Sequence, residues 1–99
     1  MQLNGIAHFQ LSVTDVARSK KFYQPLLAFL EMKTIADVEG QAYFAIGSRT
    51  GIVITPVDEE HSGDRFDQRR VGLHHVCFRA RSLEQIDELW AFVQTLEGV

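Results

Sequence analysis

The sequence predicts an α+β fold: one βαβββ unit, followed by a partial second unit that contains only a strand and a helix. Three observations predict it. Residues 6–13 alternate between apolar and other side chains, which is typical of a strand with one face on a core. Residues 15–30 carry apolar side chains at helical spacing. The same pattern then returns 67 residues later, where His75–Ala80 matches His8–Val13. An internal repeat of this kind predicts two copies of one structural unit.

The first unit is predicted over residues 1–57. Its first strand points Phe9, Leu11 and Val13 towards the core and leaves His8, Gln10 and Ser12 on the other face. Asp15 is placed to cap the helix that follows, and Pro25 within that helix predicts a kink or a restart. Three further strands are predicted at about 32–38, 41–47 and 51–57, and Gly40, Gly47 and Gly51 punctuate them.

The second unit is predicted over residues 72–99, after a charged linker at 58–71. Its strand covers 72–80. Ser82 and Gln85 form a capping-box pattern at the start of its helix, and Gly98 follows the helix as a C-terminal glycine. The three strands that would complete this unit are not in the sequence. All 99 residues are therefore expected to form a single domain.

Composition narrows the class of protein. The chain is 45% hydrophobic, which indicates a globular domain, and its net charge of −3 argues against nucleic acid or an anionic membrane as a partner. One cysteine cannot form an internal disulfide, and no apolar run is long enough to span a bilayer. The N-terminal residues lack the features of a secretory signal. These observations predict a cytoplasmic protein.

The repeat places one histidine at the same point of each unit, His8 and His75. If the two units pair about a twofold axis, both rings point into one concavity, where they could bind a divalent metal. The alternative is a pair of pocket-facing histidines without a metal. His74 is expected to face the helix side or the rim, and His61 is expected to be solvated.

The sequence resembles the vicinal oxygen chelate superfamily, which includes glyoxalases, bleomycin-resistance proteins and extradiol dioxygenases. The resemblance rests on residues 8–15 (HFQLSVTD), 18–23 (RSKKFY) and 72–78 (GLHHVCF), and extends over nearly the whole chain. It implies paired βαβββ units whose curled sheets form a cup around a divalent ion such as Fe, Mn, Ni or Zn. These motifs are specific to the fold and poorly specific to the reaction.

The resemblance implies that His8 and His75 are metal ligands. Val53 stands where the glyoxalase I branch would have a glutamate, which argues against glyoxalase I proper. In other branches the third ligand is a glutamate on the last strand of the second unit, which by the repeat would lie beyond Val99. Either the chain is part of a longer one, or another subunit completes the cup, so a homodimer is predicted.

Four further side chains are candidates for contacting a substrate: Gln10 and Ser12 share the His8 face, and Cys77 and Arg79 share the His75 face. Arg79 could attract an anionic group, although a surface position at a sheet edge explains it equally well. Cys77 is interpreted as a small lining residue. Glu59 and Glu60 could replace the missing carboxylate only if their loop folded back, and a solvated run of charges is the simpler interpretation.

Three functions follow from these observations. The leading one is a metal-dependent enzyme, of lyase or dioxygenase type, that acts on a small molecule chelated through neighbouring oxygens. The alternative is a metal-free protein that binds a drug or other small molecule, as in the bleomycin-resistance branch. The third is an α+β domain without activity.

Overall fold

The computed structural model describes all 99 residues, and its first half forms the predicted βαβββ unit. The elements are β1 (Phe9–Val13), α1 (Val16–Phe29), β2 (Lys33–Val38), β3 (Ala42–Gly47) and β4 (Thr50–Pro56). A short 3₁₀ turn at Glu59–His61 and a second helix, α2 (Leu83–Val93), follow. The α+β class is confirmed. β1 is shorter than the predicted strand because its pairing begins only at Phe9, opposite Ile52.

The four strands form one sheet in the order β1-β4-β3-β2. β1 pairs in parallel with β4, and the other two pairings are antiparallel. This order leaves β1 and β2 as the two edges of the sheet. A register shift in β2 between Thr34 and Ala36 leaves Ile35 unpaired, as in a β-bulge.

The core lies between α1 and one face of the sheet. It is a cluster of six buried side chains: Leu27, Met32, Tyr43, Ala45, Ile52 and Ile54. The predicted inward residues of β1, Phe9, Leu11 and Val13, pack against this cluster. Only eight of the 99 residues are buried, and none of them follows Ile54 in the sequence. The buried core therefore belongs entirely to the first unit.

Both ends of α1 are stabilised by local contacts. The Asp15 side chain accepts a hydrogen bond from the Arg18 N–H at 3.0 Å, which is the predicted N-cap. At the other end Glu31 has a φ of 62°. The Met32 N–H donates to the Leu27 carbonyl at 2.8 Å, and the Glu31 N–H donates to the Ala28 carbonyl at 3.0 Å. This is a Schellman motif with glutamate where glycine is usual. The helix does not restart at Pro25.

The strand predicted over residues 72–80 is not formed. Residues 73–80 have no regular secondary structure, and no other strand lies alongside them to accept and donate backbone hydrogen bonds. A lone strand gains too little from burial to persist, so the alternating pattern has no effect without a partner. This segment contacts the first unit through Phe78, whose ring centroid lies 5.9 Å from that of Phe9.

The helix of the predicted second unit is present, and Ser82 caps it. The Ser82 hydroxyl accepts from the Gln85 N–H at 3.2 Å. Gln85 reaches back as predicted, but its Oε1 accepts from the Arg81 N–H, one residue before the cap. The ring of Phe92 stacks on Phe29 of α1 with centroids 4.1 Å apart. Gly98 has a positive φ, as predicted.

Part of the apolar surface of α2 is not covered by protein. Ile86 and Trp90 are 51% and 68% exposed, whereas Leu89 and Val93 are partly buried. Neither α1 nor α2 has the length and apolar composition of a membrane-spanning helix. The division of the chain into a unit at 1–57, a linker at 58–71 and a partial unit at 72–99 stays a prediction.

Candidate functional site on the open face of the sheet

The face of the sheet opposite α1 carries the polar side chains predicted on the first strand. Along β1, Phe9, Leu11 and Val13 are partly buried against the core, whereas Gln10 and Ser12 alternate with them and are exposed. His8 directly precedes the strand and is also exposed. We call this surface the open face, defined by His8, Gln10, Ser12, Phe44, Val53 and Thr55.

The strand pairing determines the neighbours of the polar groups. Gln10 lies opposite Val53 of β4, which in turn lies opposite Phe44 of β3. The Gln10 side-chain Nε2 donates a hydrogen bond to the Thr55 hydroxyl at 2.8 Å. This bond holds the Gln10 amide and leaves its carbonyl oxygen able to accept from a ligand. Val53 therefore lies between Gln10 and Phe44 on the open face.

His8 is positioned by an aromatic contact. Its ring centroid lies 6.1 Å from that of Phe44, in an edge-on arrangement. Phe44 reaches this position because Gly51 of β4 has no side chain. A Cβ built on Gly51 would lie 2.8 Å from Cε2 of Phe44.

The polar face could be predicted from alternation along one strand. The roles of Gly51 and Thr55 were missed because they depend on how β1, β3 and β4 pair.

His75 lies in the irregular segment that precedes α2. Its Nδ1 lies 2.8 Å from Nδ1 of His74, so one of these two nitrogens must carry the proton that the other accepts. The ring of His75 therefore neighbours His74, whereas the ring of His8 neighbours Phe44. The predicted roles of His8 and His75 as metal ligands stay predictions.

The structure allows one test of whether a metal fits. No group of three or more His, Cys, Asp or Glu side chains lies close enough to hold a metal ion. Two imidazoles are suitable donors for Fe, Mn, Ni or Zn, but a stable site needs further ligands. The donor set within one chain is therefore incomplete, and Glu59 and Glu60 do not complete it. His61 instead contacts Asp64 and Glu60 in the exposed loop.

The remaining predicted substrate contacts, Cys77 and Arg79, do not lie on a sheet, because their strand is not formed. Both are exposed. The Cys77 Sγ is 3.6 Å from the carbonyl oxygen of the adjacent Phe78, and Arg79 makes no side-chain hydrogen bond or ion pair. Their roles stay predictions, whereas Gln10 and Ser12 share an ordered surface with His8.

A second feature of this side of the sheet was not predicted. A groove of about 470 Å³ lies at the end of the sheet where β2 and β4 begin. Eight residues line it: Ala7, Glu31, Lys33, Ile35, Ile46, Gly47, Arg49 and Thr50. Lys33 lies opposite Ile46, and Ile46 lies opposite Gly51, so this row crosses the sheet towards His8.

Comparisons with known proteins agree with this architecture. A model of the Glyoxalase/Bleomycin resistance protein/Dioxygenase superfamily matches residues 5–98. Among solved structures, a "putative glyoxalase" from Bacillus halodurans superposes with a TM-score of 0.81 at 23% identity, covering 92% of this chain and 68% of that one. Lactoylglutathione lyase from Agrobacterium tumefaciens superposes with a TM-score of 0.66 at 19% identity, covering 95% of this chain and 71% of that one.

At these identities the solved structures establish a shared fold, and no curated protein matches the sequence significantly. The family model matches almost the whole chain, including both histidine motifs. The chain therefore belongs to the Glyoxalase/Bleomycin resistance protein/Dioxygenase superfamily.

Proposed function

We propose that this protein is a metal-dependent enzyme of its superfamily that acts on a small molecule chelated through neighbouring oxygens, with His8 and His75 as two of the metal ligands. The observation that carries the proposal is the position of His8. It is exposed on the open face together with Gln10 and Ser12, while the opposite face of the same sheet forms the core. A divalent ion bound there would act as a Lewis acid and stabilise negative charge on the substrate oxygens.

The proposal assigns distinct roles to side chains of the open face. Gln10 would orient a substrate through its carbonyl oxygen, because its Nε2 already donates to Thr55. Ser12, which lies opposite Thr55 in the register, can donate or accept a hydrogen bond. Phe44 packs against the His8 ring and would fix its orientation, as neighbours of a metal ligand commonly do.

The contact between His74 and His75 allows two tautomers of His75, and metal binding would require one of them. A metal-binding nitrogen must have a free lone pair. If the His75 Nδ1–H donates to Nδ1 of His74, then Nε2 of His75 is free to bind a metal. The opposite arrangement would place the proton of neutral His75 on Nε2 and prevent binding there. We therefore assign His74 as the acceptor that sets the tautomer of His75.

One chain does not bring three ligand side chains together, so the third ligand would come from another chain. A second copy is the proposed source. The apolar surface around α2 supports this, since Leu83, Ile86 and Trp90 are all more than half exposed. The protein is thus proposed to act as a homodimer.

Metal binding in solution tests the proposal. The purified protein is titrated with Mn²⁺ and Zn²⁺, and bound metal is measured by equilibrium dialysis with elemental analysis. We expect about one metal per chain, and loss of at least tenfold in affinity for His8→Ala and for His75→Ala, because each variant removes a ligand. His61→Ala is the matched control and should bind like the parent. Tight binding that survives both ligand substitutions would overturn the assignment.

A metal-free binding protein is the second candidate, and the incomplete donor set within one chain favours it. In that case the open face would bind an aromatic or cationic compound without changing a bond. A panel of such compounds, tested by fluorescence of Trp90 with and without EDTA, separates the two functions. Ligand binding unaffected by EDTA, together with no stoichiometric metal, would favour the binding protein over the enzyme.

A further inference from the structure

We propose that Lys33 and Arg49 form a binding site for the carboxylate of a small organic anion, in the groove at the end of the open face. Ile35, Ile46 and Ala7 give the groove apolar walls, and Lys33 and Arg49 also line it. The site would therefore take a carboxylate attached to an apolar body. This inference rests on the proposed function only in identifying the bound molecule with the substrate.

The two cations are available to a ligand. The ion pairs of the structure involve Lys20 with Asp37, and His61 with Glu60 and Asp64, so neither Lys33 nor Arg49 takes part. Neither side chain donates to another protein group in a side-chain hydrogen bond. Glu31 also lines the groove and opposes an anion, so the three charged groups leave one net positive charge (two positive, one negative). The overall charge of the protein is negative, which makes this local excess distinctive.

The backbone conformation gives an independent reason to assign a role to Arg49. Gly47 pairs with Thr50, so Ser48 and Arg49 form the two-residue loop of the β3–β4 hairpin. Their φ values are 51° and 64°. Hairpin loops of this kind favour Asn and Gly, because other side chains are strained at positive φ. Non-glycine residues held there often serve a binding or catalytic role.

The position of the groove links it to the proposed reaction site. One row across the sheet contains Lys33, Ile46 and Gly51. If the pairing of β1 with β4 is extended by one residue before Phe9, His8 lies opposite Gly51. A carboxylate bound by Lys33 and Arg49 would direct the rest of its molecule along the open face. The pair would then determine specificity for anionic substrates without touching the reacting atoms.

Titration of metal-free protein in EDTA with benzoate tests the inference, with benzamide as the uncharged probe of the same shape. Binding is followed by ¹H–¹⁵N NMR. We expect benzoate to shift the amides of residues 33, 46 and 49 and to bind at least about fivefold more tightly than benzamide, since charge-assisted hydrogen bonds are the stronger ones. Added salt should weaken benzoate binding alone.

Three substitutions and one control complete the test. Lys33→Gln and Arg49→Gln should each weaken benzoate binding by about threefold or more, and Glu31→Gln should tighten it. Ser48→Gly is the matched control and should leave benzoate binding unchanged. It should raise the Tm by about 4 °C or more, because glycine at this positive φ removes the strain of the loop backbone. Equal binding of benzoate and benzamide, or parent-like affinity in both Gln variants, would overturn the site. Because metal is excluded, that failure would leave the proposed metal ligands unaffected.

Discussion

Gly51 creates the space in which Phe44 lies, and Phe44 in turn supports the ring of His8. We predict that Gly51→Ala destabilises the protein by about 1–3 kcal/mol, as overpacking of a close contact does, because the new methyl group would lie 2.8 Å from Phe44. The measurement is urea unfolding followed by circular dichroism.

The control for this substitution is Gly63→Ala, since a Cβ at Gly63 meets no atom within 4 Å. The control should change stability by no more than about 0.5 kcal/mol. NMR signals of the His8 ring should move in Gly51→Ala and stay in place in Gly63→Ala. If both variants were equally stable and left the His8 signals unchanged, the assigned role of Gly51 would be wrong.

Single residues also show how far the sequence predicts the site. Gln10 and Ser12 could be assigned to one face because alternation along a strand is local. Thr55 could not be assigned, because it bonds to Gln10, 45 residues away on another strand. Gly51 could not be assigned either, because its contact with Phe44 depends on the register between β3 and β4. Lys33 and Arg49 were missed for the same reason: nothing near them in sequence indicates that they share a groove.

Helix α1 carries Tyr23, whose half-buried phenol packs beside Phe22 with ring centroids 5.0 Å apart. Burial raises the pKa of Tyr23 above its usual value of 10.0, because desolvation disfavours the phenolate. The unfolded chain therefore releases this proton at a lower pH than the folded protein. The neutral phenol contributes to the free energy of unfolding. This contribution is fully present below pH 10 and is lost as the pH rises through the pKa of Tyr23 in the folded protein.

Comparison of the parent with Tyr23→Phe tests this expectation. The difference in free energy of unfolding between the two proteins should be constant from pH 7 to 9. Above pH 10 the parent should lose more stability than the variant, which has no proton to release at this position. Unfolding in urea at pH 8 and pH 11 provides the measurement. Parallel losses of stability in the two proteins would contradict the assigned burial of the phenol.

At the scale of elements, the helix caps and the four strands of the first unit were predicted, whereas the strand expected at 72–80 is not formed. Asp15 and Ser82 bond to groups three residues away, so their partners follow directly from the sequence. The strand predicted at 72–80 needed a partner strand from elsewhere, and the sequence pattern does not show whether one is available. The end of α1 lacked its usual glycine signal, because Glu31 takes the left-handed conformation instead.

The molecule as a whole is less compact than a domain of its length. Its radius of gyration is 14.6 Å, whereas about 13 Å is expected for 99 residues. The difference reflects the last third of the chain, where no residue is buried and Leu73, Phe78, Leu83 and Trp90 expose apolar surface. Large apolar side chains exposed in this number are characteristic of interaction sites when they lie together.

We therefore predict a dimer in solution that uses the surface of α2. Light scattering at tens of micromolar protein should report twice the mass of the chain. Trp90→Ala should raise the dissociation constant by about tenfold or more, because large aromatic side chains dominate interfaces. Phe66→Ala, which removes an exposed aromatic ring from the linker, is the control and should dimerise normally. A monomeric parent protein would contradict both the dimer and the proposed source of the third ligand.

The most direct test of the proposed metal centre is the response of the four histidines to Zn²⁺. The protein is labelled with ¹⁵N-histidine, and each ring is assigned from its His→Ala variant. The account predicts that the nitrogen signals of His8 and His75 change together and reach completion at one equivalent of Zn²⁺, while those of His61 remain unchanged. Independent responses of His8 and His75, or a response of only one of them, would show that the two rings do not bind one ion.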